Sequence, residues 1–94
     1  MKNKLNRDLL ADVAEKLILH LQKRNDVQNI DLMNLSGFCR NCLSKWYVES
    51  AKEKKIDLQY EDVRKLIYGM PYDLWKIKYQ IETTKEKLEK RKNL

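Results

Sequence analysis

Apolar residues recur three and four positions apart near the start of this chain, which is the spacing of one face of an α-helix. Between residues 6 and 24 this stripe consists of Leu9, Leu10, Val13, Leu17 and Leu21. The chain has only two Gly and one Pro, so it offers few of the turn signals that a small β-protein needs. The sequence therefore predicts an all-α domain whose first helix buries this stripe.

The helical spacing continues in shorter segments, and glycine marks two of their ends. Gly37 and Gly69 each follow an apolar segment, where a left-handed residue commonly ends a helix. Thr83, with Glu86 three residues later, fits a capping box that opens a lysine-rich last helix. We expect a compact bundle of four main helices plus short helical pieces, with predicted segments at residues 6–24, 27–35, 38–55, 59–68, 71–81 and 83–94.

The third segment contains the most unusual string of the chain, SGFCRNCLSKWY at residues 36–47. With Ser36 as the N-cap, Cys39 falls at the third helical position, where free amide groups favour a thiolate. Its predicted inward stripe is Cys39, Cys42, Leu43, Trp46 and Ser50. In the next helix the predicted inward residues are Tyr60, Val63, Leu66 and Ile67. In the helix after it, Tyr72, Trp75 and Tyr79 form an aromatic stripe.

The net charge of +6 lies at the two ends of the chain. Residues 1–7 carry three bases and no acid, residues 83–94 carry five bases and two acids, and residues 8–82 balance 12 against 12. This predicts one domain over residues 1–82 with a frayed N-terminus at 1–7, followed by a basic helix or tail at 83–94. Solubilising ends are favoured over nucleic-acid binding, which would concentrate charge on a structured face.

No apolar run approaches the length of about 20 residues that a membrane span requires. The first residues, MKNKLNRDLL, are charged and then amphipathic, unlike a secretion signal. With two cysteines in such a chain, we expect a reducing cytoplasm and no membrane.

Two long strings carry a family resemblance: HLQKRNDVQNIDLMNLSGFCRNCLSKWY at residues 20–47 and YGMPYDLWKIKYQ at residues 68–80. Over about residues 9–82 the chain resembles the short bacterial domain-of-unknown-function family DUF1244. The resemblance implies a compact helical fold in a bacterial cytoplasm, and the two basic ends look particular to this chain. It carries over no catalytic residue, since no activity is assigned to the family.

Cys39 and Cys42 form a C-x-x-C pair, which can bind a metal between two thiolates, close a reversible disulfide or simply pack as small apolar residues. His20 is the only histidine, and it completes a three-ligand zinc or iron site if the first and third helices bring it to the thiols. The alternative for His20 is a residue at the edge of the core. All of these interpretations remain open at this point, and no cofactor is certain.

Other polar and aromatic residues are candidates for binding. Asn29, Asp31 and Asn41 lie near Gly37, where they line a small-molecule pocket or cap short helices. Arg40 binds an anion beside the thiols or forms a surface ion pair. Tyr68, Tyr72 and Trp75 form an exposed face for a peptide or helix, or they pack in the core.

These patterns favour a non-enzymatic interaction or regulatory module, with a homodimer or another protein as its partner. A thiol-based redox enzyme that uses Cys39 and Cys42 is the alternative, and an accessory protein that binds nucleic acid through its basic ends is a second alternative. The sequence shows no phosphate-binding loop, Ser-His-Asp set or paired carboxylates in an apolar setting, so an ordinary hydrolase or nucleotide enzyme is disfavoured.

Overall fold

A computed structural model of the chain describes residues 5–92, and over this range six α-helices are joined by short loops with no strand. The all-α prediction is confirmed. Two parts of the predicted ends lie outside the described range: residues 1–4 of the predicted frayed N-terminus and residues 93–94 of the predicted tail. The helices are α1 (Arg7–Lys23), α2 (Asn29–Ser36), α3 (Arg40–Glu53), α4 (Tyr60–Tyr68), α5 (Tyr72–Tyr79) and α6 (Lys85–Lys92).

Helix ends follow local capping chemistry. Asn6 begins α1, because its Oδ1 accepts hydrogen bonds from the amides of Asp8 and Leu9 at 2.9 and 3.1 Å. Gly37 and Gly69 end α2 and α4 with φ angles of 80° and 77°, so both predicted glycine stops are confirmed.

The core lies where α4 meets α3, α1 and α5. Trp75 of α5 is buried and Tyr72 and Tyr79 pack beside it, so of the two interpretations of these aromatic residues the structure has core packing. In α4 the inward prediction is wrong for Leu66, which is 63% exposed, because Tyr68 takes the inward place instead. The fully buried cluster consists of Val63, Ile67, Tyr68 and Trp75.

The third helix begins later than predicted and presents a different face to the core. Ser36 still belongs to α2, where its Oγ donates to the Leu32 carbonyl at 2.8 Å, so it does not cap α3. Cys39 is the N-cap instead, and α3 starts at Arg40. The buried positions of α3 itself are therefore Arg40, Ser44 and Ala51, whereas Trp46 and Ser50 of the predicted stripe are exposed.

Only the last part of α1 packs against the core. Gln22 donates from Nε2 to the carbonyls of Leu66 and Ile67 in α4, at 3.0 and 3.1 Å, and Leu21 is the buried residue of α1. The predicted burial of Leu9, Leu10, Val13 and Leu17 is wrong, because no helix within residues 5–92 covers that face. Every helix in the described range is too short or too polar to cross a bilayer.

The lysine-rich helix α6 packs on α2. Lys87 Nζ lies 2.7 Å from Asp31 Oδ1, and Asn34 Nδ2 donates to the Lys87 carbonyl at 3.0 Å. The Lys87 amide donates to Thr84 Oγ1 at 3.2 Å, so Thr84 caps this helix and the prediction of Thr83 as the cap is wrong. The first turn of α6 is thereby tied to the rest of the fold.

Candidate functional site

Arg40 is a charged residue in the centre of the fold, 1% exposed. Its Nη1 donates to the Val27 carbonyl at 2.9 Å and to Asn29 Oδ1 at 3.0 Å. Its Nη2 donates to the Arg24 carbonyl at 2.9 Å and reaches the Leu21 carbonyl at 3.5 Å. Burial lowers the pKa of Arg40 below its ordinary value. The predicted surface ion pair is therefore wrong, and the guanidinium instead joins the end of α1 to the start of α2.

A chain of hydrogen bonds continues from Arg40 to Tyr68. Asn29 Nδ2 donates to the Tyr68 hydroxyl at 3.0 Å, and that hydroxyl donates to Asn41 Oδ1 at 2.7 Å. Burial raises the pKa of Tyr68 well above its ordinary value, so the phenol stays protonated. The Tyr68 ring makes edge contacts with Tyr72 and Trp75, at centroid distances of 5.2 and 5.1 Å.

The structure thus brings together six of the seven predicted binding residues, which we call the Arg40 network: Asn29, Arg40, Asn41, Tyr68, Tyr72 and Trp75. Asp31 lies apart from it. One carboxylate oxygen of Asp31 accepts from the Gln28 amide at 3.3 Å, and the other pairs with Lys87. Asp31 therefore caps α2 and holds α6, as the capping interpretation predicted.

A cleft of about 260 Å³ opens beside this network. Asn29, Asn41, Tyr72 and Trp75 line one part of it, and the segment at residues 80–83 lines another. Gln28 fixes that segment, because its Nε2 donates to the Tyr79 carbonyl at 2.8 Å and its Oε1 accepts from the Ile81 amide at 3.1 Å.

The two thiols lie at the start of α3, with Cys39 as the N-cap and Cys42 in the first turn. Cys39 Sγ is 3.9 Å from Cys42 Sγ, which is itself 3.9 Å from Met33 Sδ. Cys39 is buried and Cys42 is half-buried, and both are free thiols. Burial raises the pKa of Cys39, so the expectation of a thiolate favoured by the helix start is wrong. We call the cleft of about 340 Å³ that these three residues line, together with Lys45, Leu88 and Arg91, the sulfur cleft.

His20 is exposed on α1. Among residues 5–92, no group of three or more His, Cys, Asp or Glu side chains lies close enough to hold a metal ion. Within one chain the structure therefore does not bring His20 to Cys39 and Cys42.

The chain matches the model of a family described as "Protein of unknown function (DUF1244)" over residues 27–93. It belongs to the DUF1244 family. A comparison with curated proteins gives no match. The DUF1244 match begins after α1 and includes α6, whereas the resemblance seen in the sequence ran over residues 9–82. The basic C-terminal end is therefore part of the DUF1244 region.

All six residues of the Arg40 network and the whole sulfur cleft lie inside the DUF1244 match. The Arg40 acceptors at Leu21 and Arg24 precede it, as does Asn25, whose Oδ1 accepts from Trp75 Nε1 at 3.0 Å. Sequence reasoning missed Asn25, Gln28 and Met33 as site residues. Nothing in the local pattern marks them, because each acts on a residue from another helix or loop.

Outside the DUF1244 match, one surface of α1 is apolar and uncovered. We call it the α1 apolar face, and its members are Leu5, Leu9, Leu10, Val13 and Leu17, with exposed fractions from 40% to 64%. Leu9, Val13 and Leu17 follow one another at intervals of four residues, so they form a row along the helix, and Leu5 lies just before the Asn6 cap.

Proposed function

We propose that this protein is a non-enzymatic interaction module and that the α1 apolar face binds the same face of a second copy. The exposure of that face is the observation that carries the proposal. All five residues are at least 40% exposed, and a contiguous exposed apolar patch on a monomer commonly marks an interaction site. Burying the face against a second copy removes this surface from water on both chains.

The face is suited to pairing with itself. In a two-fold dimer each contact between two different residues occurs twice. An axis beside Val13 places Leu9 of one helix against Leu17 of the other, because both lie four residues from the centre. Asp12 and Lys16 flank the face one turn apart, so antiparallel pairing brings each carboxylate near an ammonium of the second copy.

The central residues support a structural role for the Arg40 network. The Arg40 donors are engaged with backbone carbonyls and Asn29, and the Tyr68 hydroxyl is engaged with two asparagines. A buried network in which the polar groups are hydrogen-bonded to one another helps to specify a single fold. The hydrogen bonds of Arg40 and Tyr68 are therefore used to hold the structure together. We place the module in a reducing bacterial cytoplasm as part of the proposal, supported by its two free thiols.

Sedimentation velocity across a range of protein concentrations tests the pairing. We expect a dimer for the unmodified chain and a monomer for Val13→Glu, since the substitution places two carboxylates at the centre of the interface. Ile77→Glu is the matched control, because Ile77 is 82% exposed on α5, away from the face. It should leave the dimer intact.

Charge reversal adds a second test of the same arrangement. Lys16→Asp should weaken the dimer, and the double variant Asp12→Lys with Lys16→Asp should restore it. A chain that stays monomeric at every concentration, or an equal effect of Ile77→Glu and Val13→Glu, would contradict the proposal.

A thiol-based redox enzyme is the second candidate, favoured by the 3.9 Å separation of the two sulfurs. With a small-molecule disulfide as oxidant, Cys42 attacks one of its sulfurs and releases the first small thiol, and Cys39 then attacks the Cys42 sulfur of the mixed disulfide and displaces the second. The products are a Cys39–Cys42 disulfide and two molecules of the small thiol. Equilibration in mixtures of reduced and oxidised glutathione, with free thiols counted by mass spectrometry after alkylation, tests this candidate. A chain that forms only mixed disulfides at Cys42 excludes it.

Nucleic-acid binding through residues 83–94 remains the weaker alternative. Lys87 of this segment is paired with Asp31, and Arg91 lines the sulfur cleft. Binding of a labelled duplex that falls steeply with salt and is lost on Lys85→Glu with Lys90→Glu would support it.

A further inference from the structure

We propose that Met33, Cys39 and Cys42 form a three-sulfur site for a soft monovalent metal ion, and that Cu(I) is the ion that fits it. This goes beyond the interaction module, since the residues lie on α2 and α3 and not on α1. The three sulfurs come from two elements: Met33 from α2, and the cysteines from the N-cap and first turn of α3.

The spacing of the sulfurs fits a shared ion. Cys42 Sγ lies 3.9 Å from both Cys39 Sγ and Met33 Sδ. Two sulfurs that each lie about 2.3 Å from a metal and 3.9 Å from one another subtend an angle of about 116° at it. That angle is close to the 120° of a trigonal site, so the two Cys42 distances already suit such an ion.

The kinds of ligand decide which metal is preferred. Thiolate and thioether sulfur are soft ligands that select Cu(I), whereas a structural zinc site has four ligands, usually cysteine and histidine. Within residues 5–92 no His, Asp or Glu completes a site with the two cysteines. A methionine in contact with Cys42 therefore distinguishes this cluster from an ordinary zinc pair.

The sulfur cleft gives an ion access and a suitable charge. It is open to solvent, and Lys45 and Arg91 line it beside the cysteines. Binding replaces two thiol protons by one Cu(I), which releases two protons and leaves a complex with one net negative charge. The ammonium and guanidinium groups of Lys45 and Arg91 then stabilise that charge.

The test is an anaerobic competition between the full chain and the coloured Cu(I) chelator bicinchoninate. We expect the chain to withdraw one Cu(I) per molecule. Met33→Leu should weaken Cu(I) binding about tenfold or more, since it keeps the apolar shape and removes only the thioether. Cys42→Ser should abolish competition.

Two control variants check that Cu(I) binding belongs to these three sulfurs. Met70→Leu changes a methionine that packs against the core, and His20→Ala removes the histidine that the sequence suggested as a ligand. Both should bind Cu(I) as the unmodified chain does. Val13→Glu should also retain full Cu(I) binding, so failure of the dimer and failure of the metal site are distinguishable.

X-ray absorption at the copper edge of the loaded, unmodified chain gives a measurement that needs no variant. Three sulfur neighbours at about 2.3 Å support the site. Two sulfur neighbours, equal binding by Met33→Leu, loss of binding in His20→Ala, or no withdrawal of Cu(I) from the chelator would each overturn it. Circular dichroism of each variant checks that the helices are retained.

Discussion

The guanidinium carbon of Arg40 lies 5.0 Å from the centre of the Trp75 ring, and both side chains are 1% exposed. A cation over an aromatic face at this distance is attracted by the negative potential of the ring. Together with the carbonyls that it binds, this contact lets a positive charge lie in the core without a carboxylate. Arg40 therefore connects the end of α1, the start of α2, and α5 through one side chain.

Replacing Arg40 should destabilise the fold. Arg40→Met keeps much of the volume but leaves the Val27 carbonyl and Asn29 without their guanidinium donor. We expect the free energy of unfolding to fall by about 2–4 kcal/mol, because buried acceptors lose their partners. Urea denaturation measures the change.

The control for Arg40 is Arg7→Met, at an exposed position in the first turn of α1. It should alter the free energy of unfolding by about 0.5 kcal/mol or less. Equal free energies of unfolding for Arg40→Met and Arg7→Met would show that the buried hydrogen bonds of Arg40 make no net contribution to stability.

Gly37 and Gly69 form a natural matched pair. Both have a left-handed φ, so alanine should cost about 1 kcal/mol at either position. A Cβ at Gly69 would lie 2.9 Å from Gln22 Cδ. A Cβ at Gly37 would point into open space, with no side-chain or backbone atom of residues 5–92 within 4 Å except those of its chain neighbours. Since the Gln22 amide donates to two carbonyls of α4, Gly69→Ala should cost about 1–2 kcal/mol more than Gly37→Ala.

A double-mutant cycle isolates the Gln22 contribution. In a Gln22→Ala background the extra cost of Gly69→Ala should disappear, because the clashing amide is gone. An extra cost that persists there would assign it to the backbone instead.

The two tryptophans should behave differently toward a soluble quencher. Trp75 is 1% exposed and Trp46 is 53% exposed. In the Trp46→Phe variant Trp75 is the only tryptophan, and its emission should resist acrylamide quenching until the chain is unfolded in urea. Trp75→Phe should be quenched readily, and similar quenching of the two folded variants would contradict the placement of α5.

Alkaline pH should destabilise the fold through Cys39 and Tyr68. Burial raises the pKa of Cys39 above its ordinary value of 9.0 and raises the pKa of Tyr68 above its ordinary value of 10.0. For a group whose pKa is raised by folding, the stabilisation is complete below the unfolded pKa and is lost as the pH rises through the folded pKa. The free energy of unfolding should therefore decline as the pH rises above about 9.

Alkylation of Cys39 checks the thiol part directly. In a Cys42→Ser variant at pH 9, iodoacetamide should modify Cys39 more slowly in the folded chain than in the same chain unfolded by urea. Folded-state alkylation at the unfolded rate would indicate an accessible thiolate and would contradict the raised pKa.

Several features of the fold follow from local sequence alone. Helix type, the glycine stops at Gly37 and Gly69, and the aromatic stripe of α5 depend on neighbours within one or two turns. The face of α3 could not be predicted in the same way. Which face of α3 is buried depends on Ser36 belonging to α2. The Ser36 hydroxyl can cap the following helix or donate to a carbonyl of the preceding one, and the local sequence does not indicate which it does.

The sequence by itself determined an all-helical chain, its charge-neutral body, and a thiol pair three residues apart. Only the tertiary structure decided that Arg40 is buried, that Met33 and not His20 joins the thiols, and that α1 keeps its apolar face uncovered. The physical reason is common to all three. Periodicity identifies which residues share a face, whereas the packing of other helices decides what covers that face and which polar groups meet.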